Sequence, residues 1–126
     1  MSKHNLNLYK NQQLDHLKYA NDKLGLLILV YQTLVDKAVI TKNAILSNNI
    51  ALKGETIKSM IEIIDLGLKP YLDVEQGGEL AANLEALYEY WTQLLIRVNI
   101  SNEISGLDEF ILLVNTIKQS YEELRK

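Results

Sequence analysis

A chain reversal followed directly by apolar residues at helical spacing constrains the fold more than any other feature of this sequence. Pro70 disfavours helical torsion angles at Lys69, and the Gly77-Gly78 pair permits angles that other residues resist, so a new helix can start at Glu79. Behind the turn, apolar residues recur every three or four positions, at Leu80, Leu84, Leu87, Trp91, Leu94 and Val98. The pattern predicts two amphipathic helices joined by this turn.

Three further segments have helical periodicity. Asp22 is placed to cap a helix that runs to about Ser47, and a second helix occupies much of Ile50 to Leu68. A last helix follows the stripe, with Ser105 and Asp108 as a short acidic variant of a capping box. Its predicted inward face consists of Leu107, Ile111, Val114, Ile117, Tyr121 and Leu124. Because short links leave consecutive helices side by side, the sequence predicts an all-α, antiparallel four-helix bundle.

The first twenty residues have a different character from the rest. Their few apolar side chains are scattered among Asn, Gln and Lys, which is typical of a short, loosely attached helix or an arm. At 126 residues the chain suits one domain. We therefore expect an N-terminal arm over residues 1–20 and a bundle over residues 21–126.

Two helices contain more apolar residues than a small bundle can bury. A bundle helix needs one apolar stripe, yet residues 26–30 and residues 110–114 are each five consecutive apolar residues. Large uncovered apolar patches usually mark interaction sites. The two runs predict a hydrophobic groove for a partner. Two alternatives stay open: the arm covers this surface permanently, or the two helices are central and fully wrapped.

Composition argues against several classes of function. With 13 basic and 16 acidic residues, the net charge is −3 and no basic stripe is present, so nucleic acid is not an expected partner. The chain shows no signal peptide and no apolar run of membrane-spanning length, so we expect a cytoplasmic protein without membrane insertion. It has no cysteine.

No arrangement of residues predicts catalysis or a cofactor. Neither His4 nor His16 follows a glutamate by three positions, as a di-metal carboxylate bundle requires. Carboxylates at helical spacing, such as Glu85 and Glu89, are typical of a solvated face. We expect no metal, no cofactor and no enzymatic activity. One chemical alternative remains, a histidine phosphotransfer module that uses His16.

The turn and the helix behind it resemble a signature of the bacterial flagellin export chaperones, the FliS family. The matching residues are Leu72-Asp73-x-Glu75-x-Gly77-Gly78-Glu79, then Asn83-Leu84, then Leu87-Tyr88-x-Tyr90. The likeness covers the C-terminal half closely and the N-terminal half more loosely. In the N-terminal half, Tyr9 and the residues after it look like the family's Tyr-x-x-Asn/Gln arm.

The resemblance implies a chaperone that binds the disordered C-terminal segment of flagellin, prevents premature polymerisation and delivers flagellin to the flagellar type III secretion apparatus. It also implies contacts with the export apparatus or with an assembly regulator. Self-association through the same groove, and an unrelated small helical adaptor, are the other interpretations left open. We expect the partner to contact Tyr9, Leu27, Val30, Tyr31, Leu34, Phe110, Leu113, Ile117 and Tyr121.

Overall fold

The structure, a computed structural model, describes residues 22–125 apart from the side chains of residues 74–76. This part of the chain forms four α-helices, so the predicted all-α class is confirmed. We number them in chain order as α1 (Lys23–Leu46), α2 (Ile50–Glu62), α3 (Val74–Ser101) and α4 (Ile104–Arg125). The predicted arm, with Tyr9 and His16, lies outside the described residues.

The helix starts are determined locally. Asp22 caps α1, as predicted, by accepting a hydrogen bond of 2.8 Å from the Gly25 backbone N–H. Asn49 caps α2 in the same way, through the Leu52 N–H. The capping box predicted at Ser105 is wrong, because α4 already begins at Ile104.

The kink near the start of α3 depends on both glycines. Gly78 has φ 57° and ψ −132°, a conformation that interrupts the helical backbone and that side chains disfavour. A Cβ added to Gly77 would lie 2.8 Å from the Ala81 Cβ. The break predicted at these two residues is confirmed at Gly78, but α3 already begins at Val74, five residues before the predicted start at Glu79, and its regular part follows the kink.

The helices form an antiparallel square. α1 packs against α2 and α4, and α3 packs against the same two helices. Asp22 at the start of α1 pairs with Arg125 at the end of α4, whereas Lys42 near the end of α1 pairs with Asp108 near the start of α4. These two ion pairs show that α1 and α4 run in opposite directions.

The core lies along the axis of the bundle. Trp91 of α3 is at its centre, with ring centroids 5.8 Å from Tyr31 and 5.7 Å from Phe110. Each helix contributes buried apolar side chains. The core residues are Tyr31, Leu34, Val35, Ala38, Ile57, Met60, Ile64, Leu68, Tyr88, Trp91, Leu94, Leu95, Val98, Leu107, Phe110 and Val114.

One helix among the described residues, α1, is long and apolar enough to span a membrane by length and composition alone. No helix of this kind was expected from the sequence. Tyr31 and Leu34 nevertheless lie in the core, and Lys42 pairs with a carboxylate on α4. A core helix of a bundle meets the same criterion, and α1 packs along both α2 and α4.

Candidate partner-binding surface

The two ends of the bundle differ in how well they are packed. We call the end where α1 begins and α4 finishes the open end; it comprises residues 22–30, 63–73, 77–87 and 117–125. We call the opposite end, residues 38–57 and 94–114, the closed end. The open end has few buried residues, namely Gly25, Ile64, Leu68 and Ala81. Its other apolar side chains are half-buried or exposed, and these form the candidate surface.

The apolar run of α1 lies at the open end. None of the residues 26–30 is fully buried, and Leu29 is 47% exposed. In the run of α4, Phe110 and Val114 are buried, but Leu112 is 67% exposed. The bundle therefore leaves part of both runs accessible, most of it on α1.

Three of the predicted contact residues belong to the core. Tyr31, Leu34 and Phe110 have no exposed surface. A partner lying on the closed bundle cannot reach them, so their interpretation as lining an open groove is corrected. They are buried because each faces the axis of the bundle near Trp91, where all four helices meet.

The other predicted contact residues within the described part of the chain are only partly buried. They pack against the edge of the core, and they are Leu27, Val30, Leu113, Ile117 and Tyr121. The ring of Tyr121 lies 5.5 Å from that of Tyr31. Each of the five retains some accessible apolar surface, and their role in binding stays a prediction.

The strongest exposure at the open end is at residues that were not predicted to contact the partner. Leu66 is 72% exposed and Tyr71 is 81% exposed. Leu80 and Leu124 were assigned to inward faces, yet they are 69% and 73% exposed. Both lie near a helix end, where no other helix continues far enough to cover them. Their position next to a turn or to the chain terminus is the signal that could have identified them.

The backbone between α2 and α3 is irregular on this surface. A π-helical turn spans Ile63–Leu68 and a 3-10 turn spans Lys69–Tyr71. Pro70 has no backbone N–H, so the α-helical hydrogen-bond pattern cannot continue through it. In the π-helical turn, Ile64 and Leu68 remain buried while Leu66 points into solvent. π-turns of this kind frequently occur at functional sites.

Buried phenols lie directly beneath the candidate surface. The hydroxyl oxygens of Tyr31 and Tyr88 are 2.6 Å apart. Burial raises the pKa of Tyr88 to about 12, and burial raises the pKa of Tyr31 as well. Both phenols are therefore neutral at physiological pH, and one hydroxyl group donates a hydrogen bond to the other.

The arrangement suits a polypeptide better than a small molecule or a metal. No group of three metal-ligating side chains occurs among the residues that the structure describes. A cavity of about 130 Å³ lies at the closed end between α3 and α4, where Arg97, Glu103 and Glu109 contribute to its lining. A helix is about 10 Å across with its side chains, so it cannot enter a cavity of this volume. The apolar side chains of the open end are the more extensive feature.

Comparison with known proteins identifies the family of this chain. Residues 5–126 match the family described as flagellar protein FliS. The flagellar secretion chaperone FliS of Salmonella typhimurium is 37% identical over 76 residues, which cover 60% of this chain but only 56% of that protein. The flagellar secretion chaperone FliSB of Pseudomonas aeruginosa is 38% identical over 97 residues, 77% of this chain and 76% of that protein.

A third relative extends the match. The flagellar secretion chaperone FliS of Vibrio cholerae is 26% identical over 119 residues, 94% of this chain and 87% of that protein. All three relatives are named as chaperones, which is a non-enzymatic role. The family match covers nearly the whole chain, including all four helices and the turn at Gly77-Gly78. This chain therefore belongs to the FliS family of flagellar proteins.

Proposed function

We propose that this flagellar export chaperone binds the C-terminal segment of flagellin at the open end of its bundle. Bound there, the segment is kept from polymerising in the cytoplasm until flagellin is delivered to the flagellar secretion apparatus. Contacts with components of that apparatus or with an assembly regulator belong to the same proposal. The observation that supports it best is that no residue of the apolar run 26–30 on α1 is fully buried, in a bundle whose relatives are secretion chaperones.

The energetics favour a partner that folds as it binds. Burial of apolar surface contributes about 25 cal/mol per Å², so a few hundred Å² contribute several kcal/mol. A disordered segment loses conformational freedom when it becomes ordered, and this offsets much of the gain. A segment that wraps over α1, the end of α4 and the irregular end of α2 buries enough surface for useful affinity.

A matched pair of substitutions on α1 tests this proposal. Leu29 at the open end is 47% exposed and Leu46 at the closed end is 64% exposed, so an aspartate fits at either position without entering the core. Leu29→Asp should weaken binding of a flagellin C-terminal peptide by about tenfold or more, roughly 1.4 kcal/mol, in calorimetry. Leu46→Asp should bind like the unmodified chain, and circular dichroism should show full helicity for both variants. Equal binding by the two variants would contradict the assignment of the surface to the open end.

Aspartate substitutions at Leu27, which lies at the open end, and at Leu113, which lies outside it, test the partly buried residues. Both side chains pack against the core, so a charge there costs stability as well as contact surface. Loss of binding with helicity retained would assign these residues to the partner surface. Loss of both would show that their main role is in the core.

A further inference from the structure

The contact between α1 and α4 is buried unevenly along its length. Towards the closed end, the contact between these two helices includes Ala38 and Thr41 of α1 and Leu107 of α4, all with no exposed surface. At the open end, residues 117–125 of α4 contain no buried residue, and Gly25 is the one buried position in residues 22–30. Segments with little buried apolar surface open locally at low free-energy cost. At the open end, α1 and α4 are therefore held together largely by interactions other than apolar burial.

A compact polar contact holds the two helix ends together there. Arg125 Nη2 lies 2.5 Å from Asp22 Oδ2, while Asp22 Oδ1 accepts the Gly25 N–H. The glycine is required for this geometry, because a Cβ on Gly25 would lie 2.7 Å from Asp22 Oδ2 and 3.0 Å from Arg125 Cζ. One carboxylate thus caps α1 and binds the last turn of α4 at the same time.

We propose that Asp22 and Arg125 form a latch that controls opening of the α1–α4 pair at the open end. When the ion pair breaks, the last two turns of α4 move away from α1 and uncover apolar side chains that the closed bundle keeps half-buried, including Leu27 and Tyr121. The released surface belongs to the open end, so this regulatory role rests on the proposed function, whereas the latch itself does not.

A second ion pair between the same helices provides the control. Lys42 and Asp108 are 2.9 Å apart and partly exposed, as Asp22 and Arg125 are, but they lie beside buried residues of the closed end. Breaking that pair leaves the burial around it unchanged. The two pairs therefore differ chiefly in how much apolar packing supports them.

Hydrogen exchange measured by mass spectrometry on full-length variants tests the latch. Asp22→Asn keeps a good N-cap residue and removes the charge, while Arg125→Gln removes the other partner. Both should accelerate amide exchange in residues 24–31 and 117–125 by about two- to fivefold, the range set by a typical exposed ion pair. Lys42→Gln should leave exchange in those segments unchanged. Unchanged exchange in both latch variants, or the same acceleration in Lys42→Gln, would overturn the proposal.

Binding kinetics test whether the latch acts on the partner site. With a flagellin C-terminal peptide as the probe, the two latch variants should associate faster than the unmodified chain by about the factor seen in exchange, whereas Lys42→Gln should not. Faster exchange without faster association would overturn the regulatory role. If the unmodified chain does not bind the peptide at all, the proposed function fails, and the exchange result still decides whether the latch exists.

Discussion

Two apolar runs of similar composition, residues 26–30 of α1 and residues 110–114 of α4, have different surroundings in this bundle. In the α4 run, Phe110 and Val114 are fully buried, whereas no residue of the α1 run is. The α4 run lies level with Trp91, where all four helices contribute side chains. The α1 run lies level with helix ends, where fewer side chains are available to cover it. The difference shows that position along the bundle axis, and not composition, separates a core segment from a candidate binding surface.

The largest expected difference between the two regions is in the cost of truncating a side chain. Phe110→Ala should lower the free energy of unfolding by about 3–5 kcal/mol, because it removes a fully buried aromatic ring next to Trp91. Leu27→Ala should cost only about 1 kcal/mol, because its side chain is partly exposed already. Urea unfolding followed by circular dichroism measures both. Similar costs would erase the distinction between the two runs.

A buried cation makes a polar contact between α2 and the end of α3 at the closed end. Lys53 is 8% exposed, and its Nζ donates to the Asn99 carbonyl at 3.0 Å and to Asn102 Oδ1 at 2.7 Å. Lys53→Met should therefore cost about 1.5–3 kcal/mol, the range for hydrogen bonds to a charged group. Lys58→Met, at an exposed position on the same helix, is the control and should be nearly neutral in the same unfolding experiment. Equal effects would mean that Lys53 does not anchor α2 to the end of α3.

The turn at the open end is stabilised by backbone conformation and not by burial. Gly78→Ala should destabilise the bundle by about 1–2 kcal/mol, because alanine resists the positive φ of 57°. Gly54→Ala should instead stabilise it by about 0.5–1 kcal/mol, since this glycine is inside α2 and an added Cβ meets nothing within 4 Å. Thermal unfolding measures whether each substitution lowers or raises the stability of the bundle. A neutral Gly78→Ala would show that the turn tolerates other conformations.

The smallest expected effect is at the tyrosine pair, midway along the bundle. Tyr31→Phe should cost about 1 kcal/mol at pH 7, because it removes the hydrogen bond to Tyr88. Tyr71→Phe, at an exposed tyrosine of the open end, is the control.

Alkaline pH provides a second measurement on the same pair. The pKa of Tyr88 is raised from 10.0 to about 12 in the folded state, so folding favours the neutral phenol. The resulting stabilisation is complete below pH 10 and is lost as the pH rises through about 12. The melting temperature of the unmodified chain should fall over this interval, and Tyr31→Phe should reduce the fall because one buried phenol no longer ionises. An identical fall in the variant would contradict a contribution from Tyr31.

Features that depend on neighbouring residues in the chain were predictable. The cap at Asp22, the reversal at Gly77-Gly78 and the existence of four helices all follow from local chemistry and from apolar periodicity. The family signature lies in the same local region, at the turn and the first part of α3. It therefore indicated the family before any tertiary contact was known.

Features that depend on distant residues were not predictable in the same way. Tyr31, Leu34 and Phe110 were expected on an open groove and lie in the core, whereas Leu80 and Leu124 were expected inside and lie in solvent. Periodicity identifies the side of a helix that faces the axis, but a residue on that side is buried only if other helices reach the same level. The tertiary contact of Asp22 with Arg125, 103 positions apart in the chain, could not be read from spacing either.

The sequence by itself thus determined the helices, their order, the cap at Asp22, the glycine turn and the family, because each depends on short stretches of chain. Only the tertiary structure decided which apolar side chains remain accessible and where along the bundle they gather. That outcome depends on where the four helices begin and end relative to one another, since an apolar side chain loses contact with water only where another helix is present to cover it.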